Sequence, residues 1–300
     1  MSELRLLCSN NAFMNIYYQI ADHVISVKSD DKDVVAKVLP AFAPFYFEPD
    51  VRVTPLLELS YGHALSCEGT LMRTFDWEGT SCSMYQTGNG YFVELTDLRS
   101  GIKECMQSSN AWREVCVSVR PEEPHGGFFI DYFLMMAYSF ASAPFNTLMM
   151  HASVIESNGK GMLFLGKSGT GKSTHSRLWL DHVADASLLN DDNPIVRIGS
   201  ENEVRVYGSP WSGKTPCYRN KSLPVGAFVR LKQAPENRLH RLSPAQAFAA
   251  LLPSCSNMIW DKGVHDAICT TIASLIPNSQ VCLLECLPDQ GAVKLSSSLI

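Results

Sequence analysis

The segment 162–173 constrains this chain more than any other. Four apolar residues, Met162, Leu163, Phe164 and Leu165, run directly into Gly166, Lys167, Ser168, Gly169, Thr170, Gly171, Lys172 and Ser173. The last eight fit G-x-x-x-x-G-K-[ST] at every fixed position. The apolar run predicts a buried strand, and 173–183, with Leu178, Trp179 and Val183 at helical spacing, predicts a helix. Strand, glycine turn and helix in that order make an anion site. Glycines let the backbone turn tightly and approach phosphate oxygens. Successive N–H groups form a concave cradle, and the helix aims its partly positive N-terminus at the same oxygens. Lys172 is expected to reach the β- and γ-phosphates, and the Ser173 hydroxyl to help hold Mg2+. The expected nucleotide-binding segment runs from Gly166 through Thr174, with ATP and Mg2+ as its ligands. No base-recognition motif is visible, so GTP and pyrophosphate stay open as donors.

Three further features can serve such a loop. Asp191 and Asp192 follow the short apolar run Leu188–Leu189. Two carboxylates at a strand end can divide two jobs, one holding Mg2+ and one accepting a proton from an attacking hydroxyl. The same composition, Asp-Asp-Asn-Pro, also suits a solvated turn. His151 lies on an expected strand over 150–155, fifteen residues ahead of Gly166, where a lone histidine is more often a satisfied core residue. The loop 208–214 (GSPWSGK) combines small residues with one cation, Lys214, which either reaches a phosphate or lies solvated at the surface.

Organisation follows from pattern. The first ~125 residues read as β-rich, with strands over 23–28, 56–60, 90–95 and 114–119 between turn-type residues. The polar, Pro- and Gly-rich stretch 120–127 suits a boundary, giving a β-rich N-terminal domain over 1–125 and a nucleotide-binding domain over 126–300. The second half mixes hairpins (150–155 with 162–165; 194–198 with 203–207) with strands over 187–190, 226–232 and 281–286 and helices over 243–252 and 264–275. That predicts a mixed sheet and an α/β (α+β) fold.

Hydrophobic residues make up 46% and charged residues 18%, enough apolar content to bury a sizeable core. A net charge of −5 argues against a basic nucleic-acid face. The stretch 128–150 is apolar, but Asp131, Pro144 and Asn146 interrupt it. A buried core helix over 128–143 is expected there rather than a membrane span, which wants ~20 uninterrupted apolar residues. Met1–Ser2–Glu3–Leu4–Arg5 lacks the basic-then-apolar layout of a secretory signal, so the cytoplasm is the expected compartment. Ten cysteines form no C-x-x-C pair and are read as reduced and mostly buried.

Together, His151, Ser153 and Ile155 (His-x-Ser-x-Ile), the loop 166–174 and the Asp191–Asp192 pair resemble the HPr serine kinase C-terminal domain and its relatives in the phosphoenolpyruvate carboxykinase-like superfamily, over roughly 148–300. The short interval from loop to acidic pair is typical of that superfamily, and 208–214 is similar to its small kinases found beside peptide-modification genes. The resemblance implies an HPr kinase-like core, with His151 near metal and phosphates, Asp191 as general base and Asp192 as Mg2+ ligand together with Ser173. It also implies a homo-oligomer. HPr kinases usually carry Glu after the loop serine, where this chain has Thr174, and their downstream signature region is absent; both argue against HPr itself as acceptor.

The reading that results is an ATP- and Mg2+-dependent kinase acting on a hydroxyl, with serine of a protein or peptide as the acceptor. Lys172, Asp191, His151 and Lys214 are its candidate catalytic residues. A non-catalytic nucleotide-binding regulator, and an ATPase or small-metabolite kinase, are the alternatives. An exposed edge strand of the N-terminal region is a further candidate, as a peptide dock.

Overall fold

The structure is a computed structural model that describes residues 13–77 and 79–300. The signal-peptide reading at residues 1–5 and Cys8 lie outside these. The chain folds as mixed α/β, with two large mixed sheets among the described residues.

The first sheet contains β1 (Met14–Ile20), β2 (His23–Ser29), β3 (Tyr46–Phe47), β4 (Leu57–Ser60), β5 (Gly69–Trp77), β6 (Thr80–Thr87), β7 (Gly90–Asp97), β8 (Lys103–Ser109) and β9 (Glu114–Val117). Their spatial order is β3-β1-β2-β4-β9-β8-β7-β6-β5. Hairpins make most neighbours antiparallel, but β4 lies parallel to both β2 and β9. A short helix, α1 (Lys32–Val38), is capped by the Asp31 side chain on the amides of Asp33 and Val34.

The stretch 120–127 is a tight turn. The Gly126 amide donates to Glu123 O at 2.9 Å, and a Cβ on Gly126 would stand 2.3 Å from Arg120 O. The apolar helix begins there, as α2 (Gly126–Ser142), and stops before Pro144, with Asn146 in the left-handed region (φ 53°). Together with the turn that follows, Gly126–Phe145 is long and apolar enough to cross a membrane by length and composition, yet about two thirds of its most apolar stretch is buried inside the protein. Phe129, Phe133, Leu134 and Tyr138 lie in a core shared with residues of both sheets.

The second sheet contains β10 (Thr147–Met149), β11 (Ala152–Ser157), β12 (Lys160–Leu165), β13 (Ser187–Asp192), β14 (Ile195–Ile198), β15 (Val204–Tyr207), β16 (Ser222–Gln233), β17 (Arg238–Arg241) and β18 (Val281–Cys286). The order is β10-β14-β15-β16-β12-β11-β13, with β18 also on β16 and β17 on β18. Strands β12, β16 and β18 run parallel. The expected strand over 150–155 is instead two strands with Met150 and His151 between them. The reason is tertiary: Met150 N–H donates to Pro194 O at 3.1 Å and His151 N–H to Ser254 O at 2.7 Å while the chain passes from β14 to a place beside β12 and β13.

The helices of this half are α3 (Lys172–His182), α4 (Pro244–Leu251), α5 (Lys262–Leu275) and α6 (Gln290–Ser297). Alternation along β11 and β12 divides their side chains between two cores. Val154, Leu163 and Leu165 enter the large core; Ile155, Met162 and Phe164 enter a smaller one with Trp179 of α3 and Val293 of α6. A strand buried on both faces reads as a continuous apolar run, which accounts for residues 162–165. The Trp179 indole N–H donates to Ser296 Oγ at 2.9 Å, tying α3 to α6. Burial of a side chain such as Phe164 contributes about 2–3 kcal/mol, so α3 is held firmly under the glycine loop. The nine described cysteines are free; only Cys82 and Cys282 are fully buried, six are half-buried, and Cys67 is exposed, so the expectation of mostly buried thiols is corrected.

Candidate functional site

The glycine loop leaves β12 and enters α3 with little slack. Gly169 (φ +78°) and Gly171 (φ +108°) adopt the left-handed backbone that side chains disfavour. The Thr170 amide donates to Lys167 O at 3.1 Å and the His175 amide to Gly171 O at 2.8 Å, which starts the helix at Lys172. The first-turn amides of α3 have no partner within the helix and face the loop mouth. Lys167, Ser168 and Gly169 are exposed there, Gly166, Thr170 and Gly171 are half-buried, and Ser173 and Thr174 stand exposed on the first turn.

Four charged or titratable side chains gather around this turn. Lys172, 9% exposed, donates from Nζ to Gly166 O at 3.0 Å and to His151 Nε2 at 2.7 Å. His151 Nδ1 lies 2.9 Å from Asp192 Oδ1. The partners set the imidazole tautomer: the proton sits on Nδ1 facing the carboxylate, and Nε2 accepts from the ammonium. Ser173 Oγ donates to Asp191 Oδ1 at 3.1 Å. The serine hydroxyl therefore meets Asp191, not Asp192, the residue expected to share a metal with it. Asp192 is engaged on its other oxygen by Asn193 Nδ2 at 2.8 Å.

The acidic end of β13 is fixed from behind. Ser153 on β11 pairs with Asp191 and its hydroxyl meets Ser176 Oγ at 2.7 Å, so strand and helix lock together. Asn190 is fully buried and donates to Ser209 Oγ at 3.1 Å and Trp211 O at 3.2 Å, which draws the loop 208–214 against the strand. The Gly213 amide donates to Asp191 O at 2.7 Å, and a bridge joins Asp192 to Ser212. A Cβ on Gly213 would stand 2.7 Å from Asp191 O, so the close approach demands glycine. Trp211 is buried against Phe42 (5.7 Å between ring centroids) and Tyr138 (5.2 Å), anchoring this loop in the shared core. Lys214 is exposed beyond it and makes no ion pair among the described residues.

Of the three arginines near the loop in sequence, two point elsewhere. Arg197 reaches Ala21 O at 2.6 Å in the β1–β2 turn, and Arg219 pairs with Glu156 at 3.0 Å. Arg230 lies beside Leu165 across the parallel β12–β16 pairing and borders a cleft with the glycine loop, while its guanidinium donates to Ala250 O of α4 at 3.3 Å. Gln233, at the end of β16, also touches the loop, its amide 3.4 Å from Gly169 O and Thr170 O. Sequence reasoning missed this side of the site, because parallel pairing across 65 residues leaves no local signal.

The donor set suits Mg2+. It consists of a serine hydroxyl and two carboxylates at the mouth of an anion cradle, and no cluster of three or more His, Cys, Asp or Glu side chains able to hold a metal occurs among the described residues. Mg2+ is commonly bound by one or two carboxylates plus substrate phosphate rather than by an all-protein cage.

A family model described as "SynChlorMet cassette protein ScmC" matches residues 129–268, just under half of the chain and including the loop, His151 and the acidic pair. No curated protein matches. Among solved structures, the chain is similar to the Hpr(Ser) kinase/phosphatase from Coxiella burnetii, at 14% identity over 50% of this chain and 91% of that one, with a TM-score of 0.27. A likeness at that score carries no functional argument, and function is argued from the contacts around the glycine loop.

Proposed function

We propose that this protein is a nucleoside-triphosphate- and Mg2+-dependent kinase that transfers a phosphoryl group to a hydroxyl, with ATP as donor and a serine of a protein or peptide as acceptor. One observation carries the reading: Lys172, Ser173, His151, Asp191 and Asp192 converge within hydrogen-bonding distance at the mouth of a glycine loop. A site that only bound MgATP could use both carboxylates on the metal; the histidine held against Asp192 is the feature that binding alone does not require.

The loop amides and Lys172 bind the β- and γ-phosphates, and Lys172 leaves His151 and Gly166 O to do so. Bound Mg2+ supplies neutralisation of charge on those phosphate oxygens. The contact of Ser173 with Asp191 supports Asp191 on the metal side of the pair. Asp192, oriented by the Nδ1–H of His151, then accepts the proton of the attacking hydroxyl. This exchanges the roles that the family resemblance implies. Lys214, exposed beside the Gly213 contact with Asp191, would add positive charge for the transferred phosphoryl group. Placement and fixed charge supply most of the rate in such chemistry.

The test is a transfer screen with γ-labelled ATP, Mg2+ and two acceptor pools, serine-containing peptides and small hydroxyl metabolites. Label entering peptide serine, and lost in Asp192→Asn, is the expected result. Label confined to a metabolite would move the acceptor class. Nucleotide binding without label in either pool would make the protein a regulator and refute the kinase reading.

A further inference from the structure

The order of strands fixes the direction in which an extended triphosphate can lie. Around the loop that order is β16-β12-β11-β13. Asp191 and Asp192 end β13 and His151 precedes β11, so the groups for the γ-phosphate and its metal all stand on one side of the loop. The α-phosphate and whatever it carries must leave on the other side. There they pass over the carboxyl ends of the parallel strands β12, β16 and β18, the edge at which open α/β sheets hold ligands.

Two clefts open at that edge, and their chemistry differs. One, about 440 Å³, is bordered by Lys167, Arg230 and Lys232 beside the loop, with the Lys232 ammonium paired to Glu285 at 2.8 Å. The other, about 470 Å³, lies between the first turn of α3 at Thr174 and the strand ends at Leu231, Ala234, Cys286 and Leu287. Its rim residue Leu287 is 40% exposed, apolar surface left uncovered. Its floor includes His175, which burial holds neutral by lowering its pKa to about 4. The first cleft suits phosphate. The second, uncharged and lined by Leu231, Ala234 and Leu287 with Thr174 and Gln233 beside them, suits a flat heteroaromatic ring with polar edges.

We propose that the cleft between Thr174 and the ends of β16 and β18 is the nucleobase subsite of the phosphate loop, which makes the donor a nucleoside triphosphate and not pyrophosphate. The proposal rests on the phosphate-loop reading above and can fail without it. Contact along this cleft holds the ring, so tripolyphosphate keeps the loop contacts and loses only this one.

The experiment is a calorimetric titration of the full chain with MgATP and with Mg-tripolyphosphate, in wild type and in Ala234→Trp, which fills the cleft. Expected is a loss of about tenfold or more in ATP affinity with tripolyphosphate affinity unchanged. A second measurement needs no variant. Cys286 lines the cleft, and burial raises its thiol pKa, so it is alkylated slowly at alkaline pH and followed by peptide mass, with exposed Cys67 as the internal reference. ATP should slow alkylation of Cys286 about tenfold or more relative to Cys67, and tripolyphosphate should not. Equal ATP affinity in Ala234→Trp and wild type, or equal protection of Cys286 by both ligands, overturns the subsite while leaving the loop intact. If wild type binds neither ligand, the phosphate-loop reading itself falls. If only Ala234→Trp binds neither, the protection result in wild type decides.

Discussion

Replacing Gly213 with alanine should damage the site from behind, without touching the glycine loop. The backbone of Gly213 donates to Asp191 O at 2.7 Å, and an added Cβ would stand 2.7 Å from that same oxygen and 3.1 Å from Asp192 Cβ. Ordinary contact begins near 3.4 Å, so loop and strand must part by roughly 0.7 Å, and the obstacle is backbone that cannot swing aside. Overpacking of this kind costs about 1–3 kcal/mol, and a lost hydrogen bond adds about 1 kcal/mol. The sum, about 2–4 kcal/mol, is a fall of roughly 3–6 °C in melting temperature for a chain of this size. Gly101→Ala is the matched control. Its φ is +74° with nothing within 4 Å of the added Cβ, so it carries only the left-handed backbone cost, about 1 kcal/mol. Differential scanning calorimetry of the three proteins gives the comparison. The same displacement moves the acidic pair, so transfer should fall by up to about 100-fold while nucleotide binding at the loop persists. If Gly213→Ala is no less stable than Gly101→Ala, loop 208–214 does not brace β13 as described.

Other substitutions separate the remaining roles. Asp191→Asn should raise the Mg2+ concentration needed for nucleotide binding, whereas Asp192→Asn should leave that requirement unchanged and abolish transfer; a Mg2+ titration of both variants reads this, and the reverse pattern would restore the roles implied by the resemblance. Lys214→Ala should keep stability within about 0.5 kcal/mol, as an exposed side chain does, and lower transfer about tenfold; unchanged turnover would remove Lys214 from the site. Asp131 on α2 carries a buried carboxyl oxygen, and burial pushes its pKa up to about 7 from 3.8 against the opposing effect of the Trp211 side chain. Its neutral form in the folded state means that stability from this group is complete below about pH 4 and is lost as pH rises through about 7. Asp131→Asn should therefore flatten the decline in melting temperature between about pH 5 and pH 8 and be the more stable protein at the upper end. A decline as steep as in wild type would refute that assignment.

What could be read from sequence alone was local. The glycine loop was legible because every fixed position lies within eight residues, flanked by an apolar strand and a helix. The hairpin formed by β14 and β15 was legible for the same reason. His151 was placed on a strand because Met150, Ala152, Val154 and Ile155 around it are apolar, the last two β-branched, yet Pro194 and Ser254, both distant in sequence, claim the Met150 and His151 amides and end the pairing there. The strands at one end of the first sheet, β5 on the edge and β6 beside it, escaped notice because polar residues break the alternation: Thr, Arg and Asp in β5, Ser, Thr and Gln in β6. Helix α6 was missed for a related reason: its burial depends on Ser296 receiving the Trp179 indole, a partner 117 residues away. The cleft at the ends of β16 and β18 exists only once those strands lie parallel beside β12, so nothing in residues 230–234 or 286–288 announces it.

The central claim is that the loop, Lys172 and the acidic pair form one Mg2+-dependent nucleotide site. A thermal-shift titration with ATP, with and without Mg2+, on wild type and Lys172→Ala tests it most directly. At ~100 times its dissociation constant ATP should add roughly 2.7 kcal/mol of stability to wild type with Mg2+. Loss of the charged phosphate contact costs about 2 kcal/mol of binding, which at the same ATP concentration leaves roughly 0.9 kcal/mol in Lys172→Ala. Equal stabilisation of the two proteins, or none in wild type at any Mg2+ concentration, would contradict the account.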